Sequence, residues 1–121
     1  KMENYQIIHD IIFLPKKFYE YGDISMYSLL KDTGYFEIYN QISEKNIQDV
    51  LARNPECIKL WQIWSENKRS SSGWFLGKNE DRKYTVGYIP AKEDLKSTEY
   101  FDVIEACAAF INREIEQIRK E

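Results

Sequence analysis

Catalysis needs side chains of matched acidity held together, and few residues in this sequence have the types and spacing for it. His9 is the single histidine. It stands on a predicted helix without a second ligand-type partner, a setting that makes an imidazole structural rather than catalytic. Lys68 ahead of Ser70, Ser71 and Ser72 has the residue types of a serine–lysine nucleophile pair, although serines after a helix ordinarily form a solvated turn. Glu80–Asp81 and Glu93–Asp94 are adjacent carboxylates in loop segments, suited to solubility and at most to weak contact with a hard cation. Cys57 and Cys107 lie on separate helical patterns with no second pair nearby, so two buried thiols are expected rather than a zinc site or a disulfide framework. The metalloprotease, nucleophile-elbow, phosphate-loop and dinucleotide signatures are all missing, and the expectation is a protein that is not an enzyme and needs neither metal nor cofactor.

Binding chemistry is better represented. Residues 68–83 hold five basic side chains (Lys68, Arg69, Lys78, Arg82 and Lys83) and two acidic ones, with Trp74 among them. Cations beside an aromatic ring are the parts of a single-stranded nucleic-acid site. The plainer alternative has Lys68 and Arg69 complement the dipole at the end of the preceding helix. Residues 99–116 carry the opposite balance, five acidic against one basic. There Asp102, Glu105 and Glu116 fall on the polar side of a helical pattern, forming either an ordinary solvated face or an acidic docking patch for a basic protein. The net charge of −3 is too small for the whole molecule to be steered toward nucleic acid or a membrane. Aromatic residues reach 15% with nine tyrosines, which suits both a small core and an interface.

The elements that must position these residues follow from periodicity. A chain of 121 residues with 43% hydrophobic and 31% charged residues fits one soluble domain. Lys1 ahead of Met2 is expected to be an added remnant outside the fold. Asn4 is predicted to cap a first helix that Pro15 closes, with a short helical turn over 16–21 ended by Gly22. Asp23 or Ser25 caps a helix carrying Met26, Leu29 and Leu30 inward, and Gly34 joins it to a helical segment through Ile42. Ser43 opens the next, with Ile47, Val50 and Leu51 inward. Pro55 then starts a helix over 55–67 that is apolar at Cys57, Ile58, Leu60, Trp61, Ile63 and Trp64, and this is the expected central helix.

Residues 73–77 and 84–89 alternate as two strands of an antiparallel hairpin whose inner face holds Trp74, Leu76 and Val86; no third strand is evident. Ser97 or Thr98 is predicted to cap a long final helix. Its seam is Phe101, Ile104, Ala108, Ile111, Ile115 and Ile118, spaced 3, 4, 3, 4, 3. The fold class is therefore α+β, predominantly helical, with one antiparallel hairpin and a long C-terminal helix.

The order WQIWSENKR, SSSGWFL and YTVGY over residues 61–88, with SLLKDTGYF and NPECIKLW upstream, resembles small bacterial immunity proteins of polymorphic-toxin and contact-dependent growth-inhibition systems. That resemblance implies a cytoplasmic protein that binds and blocks a cognate toxin domain, often a nuclease, and is not itself an enzyme. It carries over no contact residues. The alternative is a nucleic-acid-binding or regulatory module using Lys68, Arg69, Trp74, Lys78, Arg82 and Lys83. The first apolar run has no cleavage pattern after it and no run is long enough to span a bilayer, so the cytoplasm is the expected compartment.

Overall fold

The computed structural model describes residues 2–68 and 72–121. The chain opens with α1 (Met2–Ile12) and α2 (Leu14–Tyr21), separated at Phe13, whose φ of −96° and ψ of 4° leave the helical region. Pro15 enforces the break, because it has no N–H to bond the carbonyl four residues back and its ring crowds that carbonyl. It stands in the first turn of α2, where a missing donor is harmless. The Lys16 N–H turns to the Phe13 carbonyl at 3.1 Å, which leaves the Ile12 carbonyl without its helical donor. The indole N–H of Trp61, a side chain with no exposed surface, donates to that carbonyl at 2.9 Å. Asn4 lies inside the first turn of α1 rather than capping it. Gly22, at φ 80°, ends α2 as predicted, its N–H donating to the Phe18 carbonyl.

Ser25 caps α3 (Met26–Asp32), its hydroxyl accepting from the Ser28 N–H at 3.1 Å. Gly34, at φ 93°, then connects α3 to α4 (Tyr35–Ile38) and a 3-10 turn (Tyr39–Gln41). A side chain in that left-handed conformation would be strained, and its Cβ would lie 3.4 Å from Ile7. Ser43 and Asn46 bond each other's backbone N–H groups to start α5 (Glu44–Arg53), and Pro55 precedes α6 (Glu56–Asn67).

The sheet has the order β1 (Gly73–Lys78), β2 (Tyr84–Ile89), β3 (Thr98–Tyr100), all antiparallel. Leu76 pairs with Val86 and both are buried, while Trp74 pairs with Tyr88 on the same half-buried face. On the outer face the Phe75 ring lies across Gly87, where a Cβ would meet ring carbons at 2.9 Å. The outer edge of β1 is closed from the side by α6: the Ser65 hydroxyl accepts from the Leu76 N–H at 2.8 Å and donates to the Leu76 carbonyl at 3.3 Å.

Several expectations are corrected at α7 (Val103–Arg119) and the residues before it. A third strand is present where none was expected: Thr98–Tyr100 pairs with Tyr84, Thr85 and Val86, so neither Ser97 nor Thr98 caps the helix. Asp102 does, accepting from the Ile104 N–H at 3.0 Å. Phe101, placed by its spacing on the apolar seam, falls in the turn before the helix and is 82% exposed. A further correction concerns the core. Nine residues of α7 are buried against three of α6, whose Ile63 is 40% exposed, so α7 is the central helix. The small residues Ala106, Cys107, Ala108 and Ala109 allow α7 to be approached from several sides, and α3, α5, α6 and all three strands pack on it.

Truncating Trp61 to Ala is expected to cost about 3–5 kcal/mol in urea unfolding, since a fully enclosed ring and a carbonyl's donor are lost together. Ser65→Ala deprives a buried N–H and a buried C=O at once, and a loss of about 1–3 kcal/mol is expected. An unchanged urea midpoint for Ser65→Ala would show that the hydroxyl does not hold the strand edge.

Candidate interaction surfaces

The two ends of α7 use their polar residues differently. Glu114 is buried, and its carboxylate joins α7 to the end of α6: Lys68 Nζ donates to both oxygens at 2.6 and 2.7 Å and Trp64 Nε1 donates at 2.8 Å. A buried carboxylate persists only when paired and hydrogen-bonded in this way. Two residues on, Glu116 accepts from Arg119 Nε at 2.9 Å and Nη2 at 3.0 Å and from the Tyr35 hydroxyl. The Arg119 guanidinium in turn lies 3.6 Å above the Tyr39 ring centroid. The hydrogen bond from Arg119 does most to hold the Glu116 acid below its ordinary range, while burial and the Glu116 carboxylate push the Tyr35 phenol up.

These contacts sort the predicted acidic face. Glu105 and Glu116 share one azimuth of α7, eleven residues and about 16 Å apart. Yet Glu116 is half-buried and committed to Arg119 and Tyr35, so it is not part of a solvated face. Asp102 and Glu105 are exposed at the first turn.

The basic set is dispersed. Lys68 belongs to the Glu114 pair, with its ammonium near Gly73 at the start of β1, whereas Lys78 ends that strand about 16 Å away. Arg69, and Ser70 and Ser71 of the serine–lysine candidate, lie outside the described residues, and Lys68 is bound to the Glu114 carboxylate. Lys78 covers the Tyr84 ring at 5.5 Å. Lys83 covers Phe101 at 5.0 Å and stands 3.8 Å from Glu99. Arg82 is exposed at φ 65° in a loop that the Asn79 side chain closes by accepting from the N–H groups of Asp81 and Lys83. Trp74 is half-buried, edge-on to Tyr88 at 5.2 Å with the Arg113 guanidinium 5.2 Å above it.

Both thiols are buried and unpaired by disulfide. Burial, helped by the nearby Glu56, pushes the Cys57 thiol up to about 12, and burial with Cys57 as neighbour pushes Cys107 up as well, so neither supplies a thiolate at neutral pH. His9 lies between the Tyr5 and Phe13 rings. Among the described residues, no group of three or more His, Cys, Asp and Glu gathers as metal ligands would, and no helix is long and apolar enough to cross a membrane.

A surface that the sequence reasoning missed runs along α2 and α3. Tyr19, Tyr21, Ile24 and Tyr27 are four of the eight exposed large hydrophobic residues among the described residues, and all fall within residues 19–27. Phe18 and Trp64 support Tyr19 from below, with ring centroids at 5.7 and 6.4 Å, and Phe36 supports Tyr27 at 5.2 Å. Beside them a hollow of about 460 Å³ opens between Tyr27, Trp64 and the end of α7 at Ile118 and Glu121. The signal was legible only in part: Leu14 and Phe18 set the inward stripe of α2 and Tyr19 lies off it, whereas Tyr21, seven residues after Leu14, keeps the period of the stripe and is exposed at the last residue of the helix. No protein-family model, curated protein or solved structure matches the chain.

The Tyr35–Glu116–Arg119 contact gives a signed pH dependence. A carboxyl whose folded pKa lies below its ordinary value near 4.5 contributes stability that is present above that value and is lost as pH falls through the folded one. The urea midpoint of Glu116→Gln is therefore expected to fall less than that of the wild type between about pH 5 and about pH 3. Parallel curves for the two proteins would contradict the ion pair.

Proposed function

We propose that this protein is an immunity protein that neutralises a cognate bacterial toxin domain in the cytoplasm by stoichiometric binding. One observation carries the reading: the aromatic surface of residues 19–27, where Tyr19, Tyr21, Ile24 and Tyr27 are exposed together with Glu20 and Asp23 between them. Tyrosines give large contact area at small entropic cost and are enriched at the centres of protein interfaces. Glu20 is paired with Lys16 at 2.8 Å, and Asp23 is the carboxylate that favours a basic partner here, as a nuclease domain would be. The sequence resemblance over residues 61–88 points to the same class. Asp102 and Glu105 lie about 22 Å from this surface, along the length of α7, and act on a basic partner by steering.

Less favours the nucleic-acid reading, because Lys68 and Lys83 already face carboxylates and Lys78 an aromatic ring.

Co-expression with a toxin domain encoded by an adjacent reading frame, if one is found there, is the test. Growth should be restored, and the purified pair should run as a 1:1 complex. The double variant Tyr21→Ser/Ile24→Ser should unfold within about 0.5 kcal/mol of the wild type while weakening the complex tenfold or more. Failure of the wild type to protect, or binding of labelled single-stranded RNA that falls steeply with salt, would reject the proposal.

A further inference from the structure

At the open end of the hairpin, Trp74 and Tyr88 face α7 across a cleft of about 340 Å³, a volume at the lower end of the range for small-molecule sites. Leu95 closes one side, from a turn in which its N–H donates to the Lys92 carbonyl at 3.2 Å. Arg113 and Gln117 come from α7, and Lys120 stands exposed at the mouth.

Arg113 is the unusual member. The other two half-buried cations of this end of the molecule have carboxylates, Lys68 with Glu114 and Arg119 with Glu116. Among the described residues Arg113 has none. Its contacts are the Trp74 face and a long 3.4 Å bond from Nη2 to Thr98 Oγ1, and its Nη1 is fully buried with no acceptor among the described residues. Burying part of a guanidinium without a counter-charge is costly, and an orphaned buried donor in a folded protein requires an explanation. Nη1 is closed to solvent and Nη2 faces Thr98, so Arg113 acts on the cleft it lines as an uncompensated positive charge rather than as an open two-pronged fork.

We propose that this cleft binds a small organic anion, a single carboxylate or phosphate head on an apolar body, with Arg113 as its anchor. The head group lies on the Arg113 guanidinium, with the Lys120 ammonium at the mouth. The body packs against Trp74, Tyr88 and Leu95. Gln117 Nε2 donates to the Tyr88 hydroxyl at 2.8 Å, so that hydroxyl keeps its own proton to donate into the cleft. Lys92, 5.4 Å above the Tyr88 ring, adds positive potential. Glu116 also lines the cleft, and its charge is balanced by Arg119. The site is separate from the aromatic surface of α2 and α3 and stands whether or not the protein neutralises a toxin.

Calorimetry and the Trp74 indole N–H resonance, assigned through Trp74→Phe, test it on the whole chain with four probes: phenyl phosphate, benzoate, inorganic phosphate and benzyl alcohol. Saturable binding of phenyl phosphate or benzoate is expected, with inorganic phosphate and benzyl alcohol each about tenfold weaker or more, since each lacks one half of the recognition. Whichever of the first two binds tighter names the head group. Arg113→Gln should lower that affinity tenfold or more, and Lys120→Gln, at an exposed position that leaves the fold intact, about threefold. If Arg113→Gln does not fold, Lys120→Gln decides alone. The proposal is overturned if neither organic anion binds, if inorganic phosphate or benzyl alcohol binds as tightly, or if the folded variants bind like the wild type.

Discussion

The hydrogen bond from the Trp61 indole to the Ile12 carbonyl is the constraint on which the helical half depends. Pro15 breaks the first helical stretch and leaves a buried acceptor, and Trp61 supplies the donor from a residue forty-nine positions away. Because a buried carbonyl without a donor costs as much as the hydrogen bond it forfeits, the angle between α1 and α2 and the rotation of α6 are fixed together. Trp61 then meets Phe110 edge-on at 6.1 Å, so the same side chain sets where α7 passes.

Two glutamates two residues apart on α7, Glu114 and Glu116, face different sides of the helix and repeat one device: a carboxylate that takes a cation and an aromatic hydroxyl or indole together. Glu114 joins α7 to the end of α6, and Glu116 joins it to Tyr35 at the start of α4. The acids that give this helix its negative balance are thus partly structural, and charge counting along a sequence cannot separate the acid that holds the fold from the acid that faces solvent.

Much of the fold was legible because local chemistry decided it. Ser25, Ser43, Gly22, Gly34 and Pro55 mark boundaries through capping, left-handed backbone or a missing donor, and each does so in the structure. The misses have one cause, the use of period alone. Phe101 keeps the period of the α7 seam but lies beyond the Asp102 cap, and the period cannot show that Thr98–Tyr100 finds a strand partner in Tyr84–Val86. Enclosure was misassigned to α6 because its apolar count is high, whereas burial went to α7, whose alanines let neighbours approach. Sites were less legible than elements: the Lys68–Glu114 and Arg113–Trp74 contacts join residues far apart in the chain, where spacing carries no information.

The Ser65 hydroxyl has a meaning beyond the two bonds it makes. A sheet grows wherever a strand shows a bare ladder of N–H and C=O groups, and growth is how small β-containing proteins stick to copies of themselves. With Ser65 seated on Leu76, a new strand arriving beside β1 would meet a helix at the middle of its path. On the far side β3 offers only three residues as a template. The sheet is therefore finished at three strands, and a chain made in quantity is guarded against edge-to-edge assembly by one serine.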